Sequence, residues 1–217
     1  MNTLMGTPID QKNIGLLKLL HILRQDLDIY CLISVNADGI KQRDVGSSFF
    51  GRIQQLTIES IVINIHKIYE EERKHVLNSI HGVFRLIPKD ALMTLDDVTF
   101  KAFILKHNGP LIIDNPISAL ESTIKRFRKK YRHELDRFEK FRKKKAAHDE
   151  FGFTCDSLPS YDVMEKLFFF GADFYELVSR SFIGVMPLNL NIKRTVKSSL
   201  EMIFQELGIE DIKEDMI

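Results

Sequence analysis

Apolar residues recur at threes and fours from Asp10 to about Ser34, at Ile14, Leu17, Leu20, Ile22, Leu23, Leu27, Ile29 and Tyr30, and Asp10 is available as a cap. The pattern predicts a first long helix. Asn36-Ala37-Asp38-Gly39 reads as a turn, after which Ser47-Ser48 opens a second periodic run through Phe49, Phe50, Ile53, Leu56, Ile61, Ile65 and Ile68. That run is apolar on more than one side, as expected of a central bundle helix shielded by its neighbours. A third run from Glu71 to Ile87 carries Val76, Leu77, Ile80, Val83 and Phe84 and stops at Pro88.

Beyond Lys89 the spacing of Val98, Phe100, Phe103, Ile104 and Leu105 predicts a short helix ended by Asn108-Gly109-Pro110, while Leu111-Ile112-Ile113 fits no element. From Ile117 the period returns through Leu120, Ile124, Phe127, Tyr131, Phe138 and Phe141, a long helix of about 45 Å if it runs unbroken to Ala147. Phe151 to Pro159 reads as a loop, Ser160 as the cap of a helix through Val163, Leu167, Phe168, Phe170, Phe174, Leu177 and Val178, and Asn191 to Leu207 as a last helix stopped by Gly208. No strand alternation of useful length and no internal repeat occurs. The pattern therefore predicts an all-α bundle of about six helices with long central helices, one domain over 1–217 in which helices 160–207 pack on the same core.

Polar residues inside the central run carry information, because each must find a hydrogen-bonding partner or reach solvent. Glu59, Asn64 and His66 lie among its isoleucines and leucines. Glu59 and Asn64 are candidates for supporting polar roles, Glu59 as a carboxylate partner for a histidine elsewhere in the fold. His75 and His81, six apart on the third run, read as surface residues.

Length and composition agree with one sizeable core: 217 residues, 44% hydrophobic, sixteen Phe and no Trp. Cys31 and Cys155 stand far apart with no CxxC or CxxH spacing, which disfavours a disulfide framework or a zinc knuckle and suits a reducing cytoplasm. Met1 to Asn13 holds no apolar stretch with basic flanks, and no window of eighteen residues is free of charge, so neither secretion nor membrane spanning is expected.

Charge is where the chain becomes distinctive. From Lys125 to Lys145 twelve Lys/Arg face three acids (Glu134, Asp136, Glu139), a local +9 in a chain whose total is +1, so the remainder carries about −8. Lys125, Arg126, Arg128, Lys129, Arg132, Lys143, Lys144 and Lys145 are candidate RNA or phosphate contacts. The interleaved aromatics fall on the buried heptad line and read as core rather than as base-stacking platforms. The run leads into Arg142-Lys143-Lys144-Lys145-Ala146-Ala147-His148-Asp149, which sets a phosphate binder beside a proton-transfer group. On a straight helix Arg142 and His148 lie about 120° apart and roughly 9 Å apart along the axis. They converge on one phosphate only if the helix bends near Ala146-Ala147 or a second copy brings its own pair across a two-fold axis. Asp149 shares the arginine's face, where it can orient Lys145.

The string Arg142-Lys-Lys-Lys-Ala-Ala-His148-Asp149 resembles the R-x(4–6)-H signature of HEPN domains, most closely the abortive-infection AbiU-like branch. Phe49-Phe50-Gly51-Arg52-Ile53-Gln54, followed by an Ile-rich run to Ile68-Tyr69-Glu70, is similar to that branch's first segment. Lys143 stands where many active members carry a small polar residue. The resemblance implies a HEPN-like helical bundle that dimerises with the motif near the interface. In active members this forms a metal-independent ribonuclease, and other members only bind nucleotides or proteins.

Two readings follow. In the first, a cytoplasmic homodimer of prokaryotic defence or toxin type acts on RNA as an endoribonuclease without a cofactor or metal. Arg142, His148 and Asp149 would form its catalytic group, with an antitoxin or other protein as a further partner. In the second, the same motif is structural in a non-catalytic helical binding module for nucleic acid or protein. Metal-dependent hydrolysis and P-loop chemistry lack their motifs: no HExxH, CxxC, GxxxxGK[ST] or GxGxxG occurs.

Overall fold

The computed structural model describes residues 15–43, 46–71, 77–87, 97–110, 115–147, 158–183 and 196–209. Among them stand nine α-helices and no strand: α1 (Gly15–Val35), α2 (Ala37–Arg43), α3 (Ser47–Tyr69), α4 (Ile80–Arg85), α5 (Asp97–Lys106), α6 (Pro116–Lys130), α7 (Arg132–Ala147), α8 (Tyr161–Val178) and α9 (Val196–Glu206). The all-α class follows from the 3.6-residue period that fills these segments. No helix of the described residues is long and apolar enough to cross a membrane.

Several boundaries differ from the sequence expectation. The turn expected over 36–39 is confined to Asn36, and the chain is helical again as α2. Asn36 does both jobs: its side chain donates to the Leu32 carbonyl at 2.9 Å, and its own carbonyl accepts from Ile40 N at 2.9 Å. The third run is α-helical only over Ile80–Arg85 among the described residues, where the Ser79 hydroxyl accepts from Gly82 N and caps it. The helix expected unbroken to Ala147 divides at Tyr131, whose backbone (φ −103°, ψ 21°) leaves the helical region. Phe127, Tyr131 and Phe138 are all buried on either side of the break. Ser160 sits at the N-cap of α8, but its carbonyl rather than its hydroxyl receives the helix N–H groups of Val163 and Met164. At the end of α8 a π turn, Ser179–Ile183, prolongs the helix. Gly208, at φ 64°, ends α9 as expected of a left-handed C-cap glycine.

α3 lies at the centre, packed along α1 and against α7 and α8. Its buried positions, Ile58, Ile61, Val62, Ile65, Ile68 and Tyr69, meet Leu16, Leu20, Leu23 and Leu27 of α1 and the fully buried Leu167, Phe170 and Phe174 of α8 in one cluster. At Gly171 a Cβ would stand 3.1 Å from Leu20 Cδ2, so the glycine admits the close approach of α8 to α1. A second, smaller cluster joins Leu32, Ile33, Ile40, Phe50, Phe204 and Ile209, which seats α9 on the far end of α1. α3 is not shielded all round. Phe49 (64% exposed), Leu56 (47%) and Ile63 (39%), spaced by seven, form an uncovered apolar line.

Aromatic rings bind the elements that carry the cationic segment. Phe170 of α8 stacks on Phe127 of α6 at 3.7 Å and also meets Tyr69, Phe103 and His107. Tyr69 donates its hydroxyl to the Leu167 carbonyl at 2.6 Å, and burial pushes its pKa far above the ordinary phenol value. Phe170 is wholly buried, so Phe170→Ala should cost about 3–5 kcal/mol of unfolding free energy. Urea unfolding followed by circular dichroism measures it; a loss under about 1 kcal/mol would mean that this ring is not a keystone of the core.

Candidate nucleic-acid interface

From Arg128 onward, through α7, the chain runs antiparallel to α3. Arg128 pairs with Glu71 just beyond the C-terminus of α3, whereas Arg142, further along the chain, meets His66 earlier in that helix. α6 begins with Asn115, whose side chain accepts from Ser118 N at 3.0 Å, followed by Pro116 in the first turn. Its apolar stripe of Ala119, Leu120, Ile124 and Phe127 faces the core and turns the lysines and arginines outward.

The cations so displayed are partly neutralised. Lys125 pairs with Glu121 at 2.6 Å, Arg128 with Glu71, and Lys143 with Glu139 at 2.5 Å. Arg126 donates to the Asn108 carbonyl at 2.6 Å. Lys129, Lys130 and Arg132 are exposed and keep the face positive between these pairs. Hydrogen bonding from Lys143 draws the Glu139 carboxyl below its ordinary pKa; slight burial opposes this, and the charges of Lys143 and Arg142 assist it.

Arg142 is exposed on α7, and its Nη1 lies 2.8 Å from Nδ1 and 3.2 Å from Nε2 of His66. A guanidinium can only donate, so the ring nitrogen that receives it carries no proton. Glu70 approaches the same imidazole from one turn away, Oε2 to Nδ1 3.8 Å, and its other oxygen, Oε1, is buried without a hydrogen-bond partner among the described residues. The result is a row of carboxylate, imidazole and guanidinium across the α3–α7 seam. If Arg142 turned to an incoming phosphate, His66 could take a proton and pair with Glu70.

Of the other expected residues, Asn64 faces α1 rather than the motif helix: its Nδ2 donates to Ser60 Oγ at 3.2 Å and Asp26 Oδ2 at 3.5 Å. Burial raises the Asp26 pKa, and hydrogen bonds to its carboxylate from Ser60 and Asn64 pull it back. Glu59 is half-buried on α3, seven residues before His66 and therefore on the same side of the helix. His148 and Asp149 lie outside the described residues, and of Lys144 and Lys145 only the helical backbone is described. His66 was not singled out for the motif by its sequence. The available signal was its place on the Glu59–His66 line together with an acid at i+4, and only the antiparallel seating of α7 gives that line a partner. Among the described residues no group of three or more His, Cys, Asp and Glu side chains is arranged to hold a metal ion.

No protein-family model, no curated protein and no solved structure matches the chain. The site is therefore argued on its own geometry. An exposed arginine that rests on a half-buried imidazole contributes little to folding. Arg142→Ala should change the unfolding free energy by less than about 1 kcal/mol in urea titration, which would leave Arg142 available for a role other than stability.

Proposed function

We propose that the chain is a HEPN-like, cytoplasmic protein of prokaryotic defence type that acts on RNA, with Arg142 at the centre of its site. The observation that carries the reading is the exposed Arg142 guanidinium, held against His66 at the end of a cationic face. The face from Lys125 to Lys143 would gather the RNA backbone by salt-dependent attraction. Arg142 would grip one phosphate with its planar fork and offset the charge that develops there. His148 would move the proton at the 2′-hydroxyl or the leaving oxygen, with Asp149 supporting it. His66 acts here as a positioning residue, since it orients Arg142 in the resting state and accepts the Glu70 partnership once the phosphate takes the arginine.

A second copy of the chain fits this reading. The exposed Phe49, Leu56 and Ile63 line α3 on the side adjacent to Arg52, Glu59 and His66, so an apolar contact there would bring two motif regions close together. The same surface could receive an antitoxin-like protein instead.

The rival reading, a non-catalytic helical binding module, draws on the ties that Arg142 and Lys143 make within the fold, to His66 and Glu139. Single-stranded RNA incubated with purified protein and excess chelator separates the two. Cleavage by the wild type, reduced roughly a hundredfold or more in Arg142→Ala and His148→Ala, is the expected result. Equal cleavage by all three proteins would exclude the mechanism, and salt-sensitive binding without cleavage would favour the module. Sedimentation over a concentration series checks the assembly: the wild type should be dimeric and Leu56→Glu monomeric, whereas a wild-type monomer throughout would remove the dimer from the proposal.

A further inference from the structure

A second cationic site, which shares Arg126 and Lys130 with the outward face of α6, lies where the end of α5 meets α6 and α8. α5 closes there with a left-handed residue, Asn108 (φ 53°), and two returning hydrogen bonds, Gly109 N to the Ile104 carbonyl at 2.7 Å and Asn108 N to the Leu105 carbonyl at 3.3 Å. A Cβ on Gly109 would stand 2.5 Å from Thr123 Oγ1 of α6, so the glycine lets the turn sit against that helix. Between these elements a half-open cleft of about 480 Å³ is lined by Lys106, His107, Arg126, Lys130, Lys166 and Phe169, with Phe127 and Tyr131 in its wall. That volume falls within the range of small-molecule sites.

The wall is built rather than incidental. His107, with its side chain only 9% exposed, is packed by Phe103 and Phe170, with ring centroids 4.8 and 4.7 Å away. Its Nε2 donates to Asp173 Oδ2 at 2.8 Å, and Lys106 donates to the same carboxylate at 2.7 Å. Burial raises the Asp173 carboxyl, but hydrogen bonds and charge from His107 and Lys106 outweigh it and hold the pKa below the ordinary value. One carboxylate thus anchors the imidazole and one lysine. Arg126 has one donor engaged by the Asn108 carbonyl, which leaves more of its fork for a ligand, and Lys130 and Lys166 are exposed. Phe169 presents a ring that is 40% exposed, with Lys106 Nζ 5.7 Å from its centroid.

Among the described residues four cations line the cleft and Asp173 balances one of them, so the lining suits an anion of more than one charge, and the apolar wall suits a flat hydrophobic body. We propose that this cleft binds a small phosphate monoester with an aromatic or similarly flat body, its dianion held by Lys106, Arg126, Lys130 and Lys166 and its body laid against Phe169. The site goes beyond the RNA reading and stands or falls without it.

Phenyl phosphate is the minimal probe, titrated calorimetrically into the full chain at pH 8 beside inorganic phosphate and benzyl alcohol. Phenyl phosphate should bind roughly tenfold or more tightly than either half alone. Lys130→Ala and Lys166→Ala should each weaken it roughly tenfold, the loss of one charge-assisted hydrogen bond. Phe169→Ala should weaken phenyl phosphate more than inorganic phosphate, and Lys41→Ala, exposed on α2, should bind as the wild type does. Absence of phenyl phosphate binding, or affinity unchanged in both Lys130→Ala and Lys166→Ala, overturns the proposal. So does a loss of equal size in Lys41→Ala, which would reveal unspecific charge attraction.

Discussion

Phe127 and Phe170 stack face to face at 3.7 Å, and around that pair gather Tyr69 from α3, Phe103 from α5 and His107 from the turn that follows it. α6 is strongly cationic on its outer face, and a segment of that charge repels itself and prefers solvent. Burial of Phe127 against Phe170 holds it on the bundle nonetheless. Both sites depend on this contact. It fixes α6 beside the end of α5, which forms the cleft, and it sets the course of the chain into α7, which brings Arg142 to His66.

Charge is handled in the same way throughout the cationic segment. Among the described residues the acids that pair with it come from one turn away or from just beyond α3: Glu121 for Lys125, Glu139 for Lys143, Glu71 for Arg128. Exposed pairs of this kind are worth only a few tenths of a kcal/mol each, so they relieve repulsion without abolishing the field. The face remains attractive to polyanions while the helices stay folded. Asp173 does the corresponding work at the cleft, where two partners hold it ionised.

Glu70 and His66 differ from those surface pairs. Both are largely shielded, and among the described residues Glu70 Oε1 has no hydrogen-bond partner, a costly state for a buried carboxylate oxygen. A nearby imidazole that can gain a proton offers relief, and Arg142 opposes this by donating to the ring. Guanidinium, imidazole and carboxylate are therefore coupled: displacing the first changes what the second can do for the third.

Periodicity alone sufficed for the helical class, for α1, α3, α5, α6 and α8, and for the outward cationic stripe, because a 3.6-residue repeat of apolar positions reports which face is buried whatever it is buried against. The motif was readable for the same local reason, as Arg142 and its neighbours are contiguous. Other features depend on contacts far apart in the chain. The chain breaks at Tyr131 between buried aromatics, Asn36 ends one helix and starts the next, and Phe49 and Leu56, members of the expected apolar run, lie open beside Ile63. His66 meets Arg142 across 76 positions and His107 meets Asp173 across 66, and no spacing rule reaches that far. Local pattern says which way a side chain points; what waits there depends on how the helices are stacked.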